Sequence, residues 1–220
     1  GKDAIISFSG DCILLVYLLA TARFFTIIAA MDTGSSFEGM GSSREGSFAI
    51  FAEPTFFLCL ATLMSEGKSF SLSGIYSNLF SHIWMELDPT FILIGFALFI
   101  LALVENCRIP FDDPNTHLEL TMIHEVMVLD HSAVDLGCIL YGSSIKLWIF
   151  GSLLIGLFLP HFPQLILKQE IYFFVGMGLF AILIGIIEST MARIRLLKVF
   201  DLLLAGLAIS IFAFILQMVR

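Results

Sequence analysis

Charge is scarce in this sequence: only 14% of its 220 residues are Asp, Glu, Lys or Arg, against roughly 25% in a soluble globular domain. With 58% of residues hydrophobic and a mean hydropathy of +0.97, a soluble fold could not hide its apolar surface. Cysteine is also sparse. The four thiols, Cys12, Cys59, Cys107 and Cys138, are far apart with no C-x-x-C, which excludes a disulfide framework or a ligand set for an iron–sulfur cluster. No H-E-x-x-H occurs: His124-Glu125 is followed by Val128 where a zincin needs its second histidine, so a metalloprotease is excluded. Cations are few, the net charge is −8, and no nucleic-acid partner is expected. An initiator methionine and a signal peptide are missing too, and the chain is expected to be part of a longer protein.

What is present is a succession of apolar runs. A bilayer core of ~30 Å takes about 20 apolar residues per helix, and six runs qualify. They cover roughly 4–30, 47–64, 89–104, 134–159, 171–187 and 199–218. The fold class is therefore all-α, an integral membrane helical bundle forming one transmembrane domain over residues 1–220, with the lipid bilayer as its first partner. The 31–46 connection is rich in Gly and Ser and reads as a loop, and 65–88 is long and mixed. Residues 160–170, with Pro160 and Pro163, make a short turn. Lys and Arg in the first, third and fifth connections outnumber those on the other side by a narrow margin, which puts the odd-numbered connections on the cytoplasmic side.

The link from Glu105 to His131 differs from the others. Pro110 and Pro114 forbid one continuous helix through it. A helix is predicted over Thr116–His131, opened by a capping box Thr116-x-x-Glu119. On such a helix His117, His124 and His131 share one stripe, and Glu119 and Asp130 nearly eclipse. Two polar lines on an apolar helix suit a buried proton path or a subunit junction, because each ionisable group in a membrane needs a partner or water. They also suit an amphipathic helix lying at the interface with its polar face wet, and Glu119 reads equally well as a cap. Seven acids fall between Glu105 and Asp135, and for the set a polar chamber is the better account.

Glu105-x-x-Arg108-x-Pro110-Phe111-Asp112, followed by Pro114-x-Thr116-His117-Leu118-Glu119-Leu120, resembles the acidic cytoplasmic loop of complex I subunit 1, also known by the letter H. The wording from Asp113 to Met127 is more similar still to the paralogous membrane anchor of group 4 nickel–iron hydrogenases, the hydrogenase-4 and formate hydrogenlyase type. Ala22-Arg23-Phe24-Phe25, Asp32 to Phe37, Gly39 to Glu45, Ala52-Glu53-Pro54 and Glu188 to Arg195 agree in order, so the resemblance covers the whole chain. It implies an eight-helix fold, the first two helices falling before this sequence. Ala133 stands where relatives of this type often have glycine.

The resemblance further implies a subunit without a redox centre or cofactor of its own. Its partners would be hydrogenase-like large and small subunits, an iron–sulfur subunit and antiporter-like membrane subunits. Iron–sulfur clusters, with or without a nickel–iron centre, would lie in those partners, and the chain would sit in the cytoplasmic membrane. On this reading Glu105 and Arg108, three apart, pair and shape the loop. Asp112, Asp113, Glu119 and Glu125 form a proton-responsive cluster with His117, His124 and Asp130 beside it, and Glu53 and Glu188 extend the polar axis. Arg44 contacts docked subunits, while Arg193 and Arg195 set topology. The quinone-chamber subunit of a complex I-type dehydrogenase and a stand-alone secondary transporter are the competing readings. The latter would show an internal inverted repeat, and none is evident.

Overall fold

The computed structural model describes residues 7–78, 88–112, 123–159, 166–192 and 194–219. Six helices account for most of them: α1 (Asp11–Asp32), α2 (Ser36–Gly67), α3 (Pro89–Glu105), α4 (Ala133–Phe158), α5 (Ile166–Thr190) and α6 (Leu196–Val219). Five are long and apolar enough to cross a bilayer, and α3 is a shorter apolar helix of 17 residues. Each expected run is matched by a helix.

α2 is the spine. It packs along α6 and α1, while α3 is held between α6 and α4, and α5 leans on α4. Phe48, Phe56, Leu60 and Leu63 of α2 meet Leu98 and Leu101 of α3, Phe150 of α4 and Leu203 of α6 in one buried core. α1 and α5 instead keep most of their apolar side chains exposed, Phe24, Phe25, Phe174 and Ile182 among them, as helices facing lipid do.

The expected Gly/Ser loop over 31–46 is mostly helix, because α2 begins at Ser36 and runs for 32 residues. Small residues there serve close packing rather than a turn. A Cβ at Gly41 would lie 2.9 Å from the main-chain oxygen of Ile123 and 3.0 Å from Met127 Cγ. Only glycine lets the helix approach the returning chain so closely.

α3 ends in a Schellman motif at Cys107, whose φ of 49° is left-handed. Arg108 N donates to Leu103 O at 3.0 Å and Cys107 N to Val104 O at 3.1 Å. Asp112 is buried, and its Oδ2 accepts from the N–H groups of Ile123 (3.1 Å) and His124 (3.3 Å). The chain then makes a 3-10 turn over Glu125–Val128, with Val126 and Met127 buried, and no α-helix covers 123–131. The predicted Thr116–His131 helix fails over its described part, and so does the heptad stripe joining His124 to His131. Capping by Asp112 and burial of the apolar turn offset the loss of helical hydrogen bonds. Non-helical backbone at such a place must be covered by protein, and α1 and α2 cover it.

The odd-numbered connections share one end of the bundle. Asp130 N donates to Oε1 of the fully buried Glu38 at 3.2 Å, and Ile194 N donates to Pro110 O at 3.0 Å. At the opposite end Asp11 accepts from Leu72 N (2.7 Å) and Ser71 Oγ (2.9 Å), tying the start of α1 to the second connection.

Candidate functional site

An arginine near the middle of an apolar helix has to be neutralised. Arg23 of α1 is 8% exposed and faces three carboxylates from two other helices. Its Nη1 donates to Glu53 Oε1 at 2.8 Å, and its Nη2 donates to Glu105 Oε1. Its Nε lies 3.3 Å from Glu45 Oε1, within ion-pair range but without a hydrogen bond. Lys146 of α4 completes the group: Nζ donates to the Glu105 carbonyl at 3.0 Å and stands 3.7 Å from Oε2 of the same residue. Four helices thus meet on one network of five charged side chains.

One cavity reaches this network, and a second lies next to it among the loop residues. A cavity of about 300 Å³ is lined by Arg23, Glu45, His124 and Lys146 among apolar side chains. A second, of about 500 Å³, is lined by Cys107, Arg108, Asp112, Glu125 and His131. His124, Ile139 and Ser143 belong to both, so His124 stands in the wall between them. Burial, with a smaller contribution from the Lys146 charge, lowers the His124 pKa to about 4, and the imidazole is neutral near pH 7. Burial likewise pushes the Cys107 thiol well up. Among the described residues no three His, Cys, Asp or Glu side chains are grouped to hold a metal ion.

The expected site residues are distributed unevenly. Glu53 and Glu105 join the network; His124, Glu125 and Asp112 line the cavities. Glu105 does not pair with Arg108, because the helix end aims it inward at Arg23. Arg108 instead reaches Glu188 of α5, Nη1 to Oε1 3.3 Å. Arg44 lies on helix α2 rather than in a loop, its Nη2 donating to Met40 Sδ at 3.2 Å. Asp130 and Arg195 are exposed. Asp113, His117, Glu119 and Arg193 lie outside the described residues. Ala133 adopts a left-handed φ of 40°, so an alanine holds a conformation that suits glycine.

The network contains three residues that the reading of the acidic loop passed over: Arg23, Glu45 and Lys146. Arg23 and Lys146 were legible in principle, as the two cations inside apolar runs. Glu45 was not, since the Gly/Ser stretch around it read as a loop.

A polytopic helical membrane protein built around a buried ion-pair network, with a cavity beside it that a folded-back loop helps to line, is the class that fold and site define. The description of the NADH dehydrogenase family matches residues 2–218, and the chain belongs to that family. It is 32% identical over 215 residues to hydrogenase-4 component C of Escherichia coli (strain K12), covering 94% of this chain and 66% of that protein. It is 28% identical over 213 residues to formate hydrogenlyase subunit 4 of the same organism, covering 94% and 68%. Over 185 residues it is 25% identical to the second H-type subunit of NADH-quinone oxidoreductase of Syntrophobacter fumaroxidans (strain DSM 10017 / MPOB), covering 82% and 54%. The chain spans about two thirds of the length of the first two relatives.

Proposed function

We propose that this chain is a non-catalytic membrane subunit of an energy-converting, hydrogenase-4 or formate hydrogenlyase-like complex. It anchors a peripheral arm of iron–sulfur and nickel–iron-type subunits on the cytoplasmic face and couples their electron transfer to movement of protons or sodium ions across the membrane. The observation that carries this reading is the buried network of Arg23, Glu45, Glu53, Glu105 and Lys146, reached by a cavity whose wall at His124 is shared with a second cavity lined by loop residues. A group of interacting carboxylates in a low dielectric changes its proton occupancy when a nearby charge changes. That is the property a coupling element needs, and the names of the two hydrogenase-type relatives supply the context. Redox cofactors belong, on this reading, to the partner subunits. The likeness to a membrane chain of NADH-quinone oxidoreductase supports a quinone-dependent complex I-type assembly as the second reading.

Gentle extraction from the native membrane and purification through this chain, with mass spectrometry and a metal assay on the sample, tests the proposal. Nickel together with iron–sulfur and antiporter-like proteins is the expected result. Flavin-containing NADH dehydrogenase subunits without nickel would favour the second reading, and a chain purifying alone and free of iron would overturn both.

A further inference from the structure

The network is not electrically balanced: Arg23 and Lys146 supply two cations, while Glu45, Glu53 and Glu105 supply three carboxyl groups. A net negative charge buried among apolar helices is strongly disfavoured, and the usual remedy is uptake of a proton. We infer that the network holds one exchangeable proton and that its resident site is Glu45. The inference deepens the coupling function proposed above by naming the carboxyl that loads and unloads.

Three geometric facts select Glu45. Glu105 is contacted by both cations, with a hydrogen bond from Arg23 and Lys146 beside its other oxygen, so it stays ionised. Glu53 takes a direct hydrogen bond from Arg23 at 2.8 Å, which stabilises its ionised form. Glu45 is 17% exposed and has the loosest contact. The Arg23 Nε facing it is buried and makes no hydrogen bond, as expected where the opposing oxygen carries no full charge. Glu45 also lines the 300 Å³ cavity, which gives its proton a way in past His124, whereas Glu53 and Glu105 do not line that cavity.

The groups around Glu45 come from every neighbouring element. Arg23 lies on α1, Glu53 on α2 itself, Glu105 on α3 and Lys146 on α4; His124, Cys107 and Asp112 belong to the loop. His124 is neutral near pH 7 and can accept a proton on one ring nitrogen while it releases one from the other, so that its charge before and after is the same. When Glu45 gives up its proton, the network gains one negative charge next to Arg23, and the proton leaves toward the cavity. No bond other than O–H is broken.

Infrared spectroscopy of the lipid-reconstituted native complex, in H₂O and D₂O, tests this. The wild type should show a protonated-carboxyl C=O band that is lost in Glu45→Gln, shifted in Glu45→Asp and unshifted in Glu53→Asp. Glu45→Gln should also assemble in wild-type amounts, because the amide resembles the protonated resident form. A band that survives Glu45→Gln, or that shifts in Glu53→Asp or Glu105→Asp, would overturn the assignment. So would the absence of any such band from the wild type, which would mean a fully ionised network. Ion translocation by the same samples separates this inference from the function on which it rests. Loss of the band with translocation intact would keep the proton on Glu45 and remove the coupling role.

Discussion

Arg23 Nη2 donates to Glu105 Oε1, joining the middle of α1 to the last residue of α3 across 82 positions of sequence. The contact explains why α3 stops where it does. The Schellman turn at Cys107 ends the helix so that Glu105 faces the bundle while Arg108 turns away toward α5.

Removing the guanidinium leaves three carboxyl groups around one ammonium. Arg23→Gln is expected to destabilise the protein by about 3–5 kcal/mol, the range for breaking a buried ion pair. Arg23→Lys should recover only part, since one ammonium cannot reach carboxylates on both α2 and α3 with a planar fork. Thermal unfolding in detergent, followed by aggregation of the solubilised chain, reads the difference.

Gly41 predicts a packing defect. In Gly41→Ala the new methyl meets the main-chain carbonyl of Ile123, which is fixed by the Asp112 cap, and Met127 beside it. A cost of about 1–3 kcal/mol is expected for such overpacking. The nearby substitution Gly39→Ala, where nothing lies within 4 Å, should be neutral or slightly stabilising in the same assay.

Ala133 predicts a gain. At φ 40° a Cβ is strained, and Ala133→Gly should stabilise the protein by about 1 kcal/mol, while Ala133→Val should destabilise it. A rise and a fall in the thermal midpoint are the expected pair of results.

His124 gives a pH dependence with a definite sign. Its pKa falls from the ordinary 6.5 to about 4 on folding, so the unfolded chain binds more protons between those values. The contribution of the neutral imidazole is therefore fully present above pH 6.5 and is lost as the pH falls toward 4. The slope is at most about 1.4 kcal/mol per pH unit. His124→Gln should flatten the stability profile across that window. Equal slopes in wild type and variant would show that His124 ionises freely.

Much of this was legible in the sequence, for physical reasons. The apolar runs revealed the six long helices among the described residues, because a membrane-crossing helix has to be apolar over most of its length. The polar residues were harder. Glu53 and Glu105 stood out as acids in or beside apolar runs, but their shared partner Arg23 is far away in sequence, and pairing across 30 and 82 positions leaves no local pattern. Glu105 and Arg108 looked like a pair from their spacing, which holds on a helix; the turn at Cys107 breaks that geometry. The Gly/Ser stretch before Glu45 read as a loop because composition does not distinguish a flexible segment from a helix that needs close contact. The histidine stripe failed for a related reason: the periodicity was real, but Asp112 caps a 3-10 turn in the place where it required an α-helix.

The most direct test of the coupling function is ion translocation measured together with electron transfer in inside-out membrane vesicles, comparing wild type with Glu53→Gln. Glu53 binds Arg23 and is the most exposed carboxylate of the network. The account predicts a complex assembled in normal amounts whose ion translocation driven by electron transfer falls severalfold. Wild-type turnover with a wild-type ratio of ions to electrons would contradict it, and would leave the buried charges a purely structural role.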